Sequence, residues 1–265
     1  MPTATHRFAT PEPITLRLRN HAGSVEILAS ETDETVVEVT GHPDEPATVE
    51  LSADSRTLVV EPERGRRIHR HRLDMVVRLP AGSLVHAHTA AASVEVRGRI
   101  AEFDAATASG RVSAEEVAGR AEVSTASGSV RFGRVGGSAS FQSASGSLEV
   151  EHVGQACTAR TASGSVQIGL ADGDVAATTV SGTVAVREVH RGIVDVSSTS
   201  GRVDVGVRRG TLVWLDVSSV AGRTRSDLAP EDGAGGGAGS TLSLRAHSVS
   251  GAVTVSPTGA APIAL

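Results

Sequence analysis

Tyrosine and lysine are missing from this chain, and tryptophan and cysteine occur once each, as Trp214 and Cys157. Aromatic residues make up only 2% of the total, which leaves little to stack on sugar rings or unpaired bases. A single cysteine forms no internal disulfide. Strand alternation turns Cys157 inward with Ala139 and Val175, where a thiol behaves as an inert small hydrophobe. Nor is there a cationic excess: 25 basic residues, all arginine, stand against 30 acidic ones, net −5. No nucleic-acid partner is therefore expected. No run approaches the ~18 apolar residues of a membrane span, and the opening MPTATHRFATPEP has neither a positive leader nor an apolar signal segment. The expectation is a cytoplasmic protein without membrane insertion, or one held at the membrane periphery by a partner.

What the chain has in abundance is glycine, 29 residues of it, set at a regular stride. Ser-Gly recurs every 18 residues at Gly110, Gly128, Gly146, Gly164 and Gly182, then at Gly201 after one extra residue. A second series, Gly119, Gly137, Gly154, Gly173, Gly192 and Gly210, falls near the midpoints, so the unit is about nine residues and two units make one turn. Apolar residues follow each Ser-Gly two apart: Val112 and Ala114, Val130 and Phe132, Leu148 and Val150, Val166 and Ile168. That is strand alternation. Stacked at about 4.8 Å, such turns predict an all-β, single-chain β-solenoid with two narrow packed sheets, since no turn buries its apolar face alone. The glycines at 110, 128, 146, 164, 182 and 201 are read as structural corners with positive φ. Thr107, Thr125, Ser143, Thr161, Thr179 and Ser198 share one parity and are read as a structural hydroxyl ladder, hydrogen-bonded along its column.

Five segments follow from this pattern. Residues 1–80 alternate as strands without the 18-residue period and are read as an irregular β lead-in that covers the N-terminal end. Residues 81–228 hold the solenoid repeats, and Trp214 is expected in the core or over its end. Residues 229–240, APEDGAGGGAGS, have the composition of a flexible loop. Residues 241–256 restore the pattern at Ser250, Gly251, Val253 and Val255 and are read as the final turn, with a frayed tail over 257–265.

The GSVEI stretch from Gly23 to Ile27, the Val-x-Leu-Pro step from Val77 to Pro80 and the repeated Thr-Ala-Ser-Gly-Ser-Val turns together resemble the bacterial toast-rack, or "putative adhesin", β-strand repeat family. The resemblance spans roughly residues 8–256. It implies a β-repeat fold, a place among envelope-stress and scaffold components, and no catalytic residues to carry over.

Calcium-binding nonapeptide solenoids place carboxylates at each corner, but here only Asp172-Gly173-Asp174 is acidic on both sides of a glycine. Polysaccharide-cleaving β-helices cluster carboxylates on one face. The outward column Ser113, Arg131, Glu149, Gln167, Ala185, Asp204 changes character at every turn, which leaves Glu115 with Glu116, or Asp195 with Asp204, as chance neighbours. The pairs His69/His71 and His86/His88 each present two imidazoles on one strand face, too few to complete a zinc site. The densest polar stretch is RGRRIHRHR over 64–72. Its plain reading is a solvated hairpin loop. Its functional reading is contact between Arg64, Arg66, Arg67, Arg70 and Arg72 and an anionic partner. No cofactor and no metal are expected. The function read from the sequence is a non-enzymatic scaffold or protein-interaction module with an unidentified protein partner. The alternatives are an adhesin-like or carbohydrate-binding surface protein and a bactofilin-like polymer.

Overall fold

The computed structural model describes residues 3–41, 47–52, 56–62, 72–228 and 241–258, and all regular structure among them is β. The chain packs as two compact units, Met1–Gly137 and Ser138–Leu265. Each contains two parallel-rich sheets.

Unit 1 begins with β1 (Thr3–Ala9), β2 (Thr15–Asn20), β3 (Gly23–Ser30), β4 (Glu34–Thr40) and β5 (Ala47–Leu51). It continues with β6 (Thr57–Pro62), β7 (Leu73–Pro80), β8 (Leu84–Thr89) and β9 (Ser93–Ile100). It closes with β10 (Glu102–Thr107), β11 (Val112–Val117), β12 (Ala121–Thr125) and β13 (Val130–Val135). Its first sheet runs β1-β4-β7-β3-β9-β11-β13 and its second β5-β6-β2-β8-β10-β12. The 18-residue period appears directly as register: Phe103 lies beside Ala121, and Val112 beside Val130. Within residues 1–80, read from the sequence as an irregular lead-in, β2, β3, β6 and β7 pair in the same parallel way as the repeats. Thr15 pairs with both Thr57 and Leu84, and Ser24 with both Asp74 and Ser93. Among the described residues only β1, β4 and β5 pair antiparallel to their neighbours, and they occupy the outer positions of the two sheets.

Unit 2 opens with β14 (Ala139–Ser143), β15 (Leu148–Val153), β16 (Cys157–Thr161), β17 (Val166–Ala171) and β18 (Val175–Thr179). Then come β19 (Val184–Val189), β20 (Gly192–Ser198), β21 (Val203–Val207) and β22 (Leu212–Ser219). The last are β23 (Thr224–Ser226), β24 (Thr241–Ser248) and β25 (Val253–Pro257). Its sheets run β15-β17-β19-β21-β25-β23 and β14-β16-β18-β20-β24-β22. The final strands of the chain therefore do not form the outermost turn. β24 lies between β20 and β22, with Gly192 and Val213 both beside Leu242, and β25 lies between β21 and β23. Sequence order and stacking order are exchanged here, because Leu242, Leu244 and Ala246 bury completely between two strands while the bulky outward side chains of β22 tolerate the edge. Residues 229–240 and 259–265 lie outside the described residues.

The core is a column of small aliphatic side chains. Val112, Val130, Val166, Val184 and Val203 are all at most 2% exposed, as are Ala105, Ala159 and Ala177. Each buried valine contributes roughly 1.5–3 kcal/mol. In unit 1, Phe103 meets Phe132 edge to face at 6.0 Å. Cys157 is buried, and desolvation pushes its thiol up to about 12.

Two corner expectations change. Gly110, Gly128, Gly146, Gly164, Gly182 and Gly201 do not take positive φ, which occurs at Gly23, Gly82, Gly98, Gly192 and Gly210. The corner glycines answer a close approach instead: a Cβ on Gly110 would stand 1.9 Å from the carbonyl oxygen of Ala92, one turn away. The hydroxyl column also bonds differently. At three corners the hydroxyl accepts the glycine N–H three residues on, Gly110 to Thr107 at 3.0 Å and Gly128 to Thr125 at 2.8 Å in unit 1, Gly146 to Ser143 at 2.6 Å in unit 2. The hydroxyls of Thr161, Thr179 and Ser198 are buried and form no hydrogen bond among the described residues.

Candidate functional site

Strand alternation on β2 sends Leu16 and Leu18 into the core of unit 1 and leaves Arg17 and Arg19 outside. On the neighbouring β8, Val85 and Ala87 go inward while His86 and His88 face out. The parallel register aligns the two pairs, Arg17 beside His86 and Arg19 beside His88. On the other flank β6 sets Val59 beside Arg17, with Glu61 two residues further on. Together Arg17, Leu18, Arg19, Val59, Glu61, His86 and His88 line a shallow open groove on the outer face of the second sheet.

The groove carries two guanidiniums and one carboxylate. Arg19 lies 3.7 Å from Glu61, and His86 Nδ1 lies 3.5 Å from Asp104 Oδ2. Among the described residues Arg17 and His88 have no ion pair. Two guanidiniums flank the histidine pair, so the site repels a cation, and no cluster of three or more His, Cys, Asp or Glu capable of holding a metal occurs among the described residues. A carboxylate suits the groove better: guanidiniums form paired, charge-assisted hydrogen bonds to planar anions.

Of the arginine-rich stretch, Arg64, Arg66, Arg67 and Arg70 lie outside the described residues, as do His69 and His71. Arg72 is described, and its Nε lies 3.3 Å from Asp74 Oδ1. Burial pushes the Asp74 carboxyl up, yet hydrogen bonds from the Ser24 hydroxyl at 2.7 Å and the Ser24 N–H at 2.9 Å, together with Arg72, hold it below its usual range. Sequence reasoning found His86 and His88 as a pair but passed over Arg17 and Arg19. The alternating ITLRLR over 14–19 was the available signal.

The other polar clusters are structural ties. In unit 2, His152 Nε2 is 2.7 Å from Asp172 Oδ2, and His190 Nδ1, buried and without a hydrogen bond among the described residues, is 4.0 Å from Asp172 Oδ1. The hydrogen bond to His152 lowers the Asp172 pKa against the effect of burial, with His190 and Arg191 adding favourable charge. Asp174 Oδ1 accepts the Ile193 N–H at 2.8 Å. Both acids of the Asp-Gly-Asp turn are thus engaged in ties between turns. Asp195 and Asp204 lie on β20 and β21, in different sheets, and do not meet. Glu115 accepts the Gly98 N–H at 2.7 Å, and Glu116 lies 3.6 Å from Arg99. Trp214, expected in the core or over its end, stands on the outer face of β22, 55% exposed, with the Arg245 guanidinium 5.5 Å from its ring.

These features define a class, a parallel β-repeat protein whose first unit carries a groove lined by Arg17, Arg19, His86 and His88. Residues 14–256 match the family described as Toastrack DUF4097, and the chain belongs to that family. No curated protein matches it. Among solved structures it is similar to a "putative adhesin" from Bacteroides fragilis, at 13% identity over 97% of each chain with a TM-score of 0.46. It is also similar to a "putative lipid binding protein" from Parabacteroides distasonis, at 14% identity over 96% of each chain with a TM-score of 0.44.

Proposed function

We propose that this protein is a non-enzymatic scaffold that holds an acidic segment of a partner protein in the groove between β2, β6 and β8. The observation that carries the reading is the in-register rectangle of Arg17, Arg19, His86 and His88 on one rigid sheet face. A sheet fixes those side chains at strand spacing before any partner arrives, so little ordering cost remains for the site itself. Val59, among the lining residues, offers the groove an apolar contact for the stem of a bound side chain.

The reading is tested by fluorescence anisotropy with a labelled glutamate- and aspartate-rich peptide and a neutral peptide of equal length. The expected result is salt-sensitive binding of the acidic peptide only, weakened roughly tenfold by Arg17→Ser with Arg19→Ser. Equal binding of both peptides, or an affinity unchanged in the double variant, would reject the groove as the contact site.

A further inference from the structure

The outermost turn of unit 2 is built from β22 and β23. β22 is paired with β24 alone, so along Leu212–Ser219 one row of backbone N–H and C=O groups has no strand beside it among the described residues. The core is also one layer short. Val213, Leu215 and Val217 lie beside Leu242, Leu244 and Ala246, each of which is 0% exposed, yet remain only half-buried themselves. On the outer face and the following corner, Leu212, Trp214 and Val220 are exposed, Val220 to 85%.

Natural sheet edges are guarded by inward charges, proline, bulges or a covering segment. On β22 the only charge is Asp216, which shares the outward parity of Trp214. The chain between β23 and β24, DLAPEDGAGGGAGS, has a single aliphatic side chain larger than alanine or proline, Leu228, too little to fill a layer of three.

We propose that this edge is the interface of a two-fold homodimer, in which β22 pairs antiparallel with β22 of a second copy about Leu215. The strand is self-complementary in that register. Val213 falls opposite Val217 of the second copy, Leu215 opposite its own counterpart, and Leu212 opposite Ser218. All three inward residues then meet inward residues, and each core supplies the layer the other lacks. On the outer face Asp216 falls opposite Trp214 of the second copy rather than against another carboxylate, and Arg245, in register with Asp216, stays beside both. A shift by one residue would turn the second core to the wrong face. Centring on Asp216 instead would set two carboxylates against each other.

The edge is eight residues long, roughly 27 Å at strand rise. Across the depth of two sheets the meeting ends would cover on the order of 1,000 Å² in total, the low end for a specific interface. A dimer of micromolar affinity is expected.

Sedimentation velocity on the full chain from about 1 to about 200 µM reads the assembly directly. The expected result is a monomer–dimer equilibrium, weakened at least roughly tenfold by Trp214→Asp, an exposed position where the fold is indifferent but an acid would face Asp216. Disulfide capture reads the register. Opposed antiparallel residues have Cα atoms about 4.5–5.5 Å apart, within disulfide reach, so Leu215→Cys alone gives a covalent dimer on mild oxidation. Val213→Cys alone gives none, and Val213→Cys with Val217→Cys restores it. Buried Cys157 stays out of this chemistry. A monomer across the whole range, an unchanged dimer in Trp214→Asp, or capture by Val213→Cys alone would each overturn the proposal. So would a wild-type monomer that dimerises once residues 259–265 are removed, which would name that segment as the occupant of the edge.

Discussion

A Cβ placed on Gly164 would stand 1.8 Å from the carbonyl oxygen of Gly146, one turn away in unit 2. The neighbour is backbone held in a ladder, so it has no rotamer into which to withdraw. Gly164→Ala is expected to cost about 3 kcal/mol, at the upper end for overpacking. Gly210, at φ +79° with nothing within 4 Å of an added methyl group, carries only the left-handed backbone penalty, and Gly210→Ala should cost roughly 1 kcal/mol. Urea unfolding of the two variants distinguishes a steric corner from a conformational one.

The hydroxyl column divides into bonded and unbonded members. Thr125→Val removes the acceptor of the buried Gly128 N–H and is expected to cost about 1–3 kcal/mol, whereas Thr125→Ser retains most of that stability. Thr179, whose hydroxyl is buried without a hydrogen bond, should accept valine at no cost or with a gain. Equal losses at both positions in a denaturant titration would contradict this division.

Acid sensitivity follows from Asp74 and Asp172, both held below the usual carboxylate value of 3.8. Stability from a lowered carboxyl is complete above the unfolded value and drains away as pH falls through the folded one. Melting temperature should therefore decline below about pH 4, and Asp172→Asn should flatten part of that decline. Asp204 runs the other way: burial raises it, against Arg202 and a hydrogen bond from Thr254. Its contribution grows as pH falls through its raised value, so Asp204→Asn should stabilise the protein at neutral pH. Thermal melts from pH 2 to 7 read all three.

Cys157, with its thiol pushed up to about 12, should stay unreactive toward a thiol-specific reagent at pH 8 in the native protein. It should react fully once the chain is unfolded. Rapid native labelling would place the side chain outside the core.

The period of 18 was legible because it is carried by small, repetitive corners: the register Val112 to Val130 and Val166 to Val184 follows from spacing alone. The turns made by β2 with β3 and β6 with β7 were not, because Thr15 meets partners as remote as Thr57 and Leu84, and no fixed stride links them. For the same reason the groove was half visible. His86 and His88 declare their common face by alternation, but that Arg17 and Arg19 lie beside them depends on which strand the sheet places next. The corner glycines were recognised for a conformational reason when the actual one is the approach of the neighbouring turn, a distance that no single turn encodes. Trp214 was expected in the core or over its end; it sits on the end strand β22 but on the outer face, beside the Arg245 guanidinium.

The threading of β24 and β25 between older strands has a consequence for synthesis. A ribosome delivers β22 and β23 before the strands that separate them from β20 and β21. A nascent chain that has not passed residue 240 has an empty slot in both sheets, or else fills it with the wrong turn. This end of the molecule cannot grow layer by layer as it is translated; it closes only when late-made strands enter between early ones. Premature termination in this region therefore does not shorten the stack by one turn but removes a layer from within it.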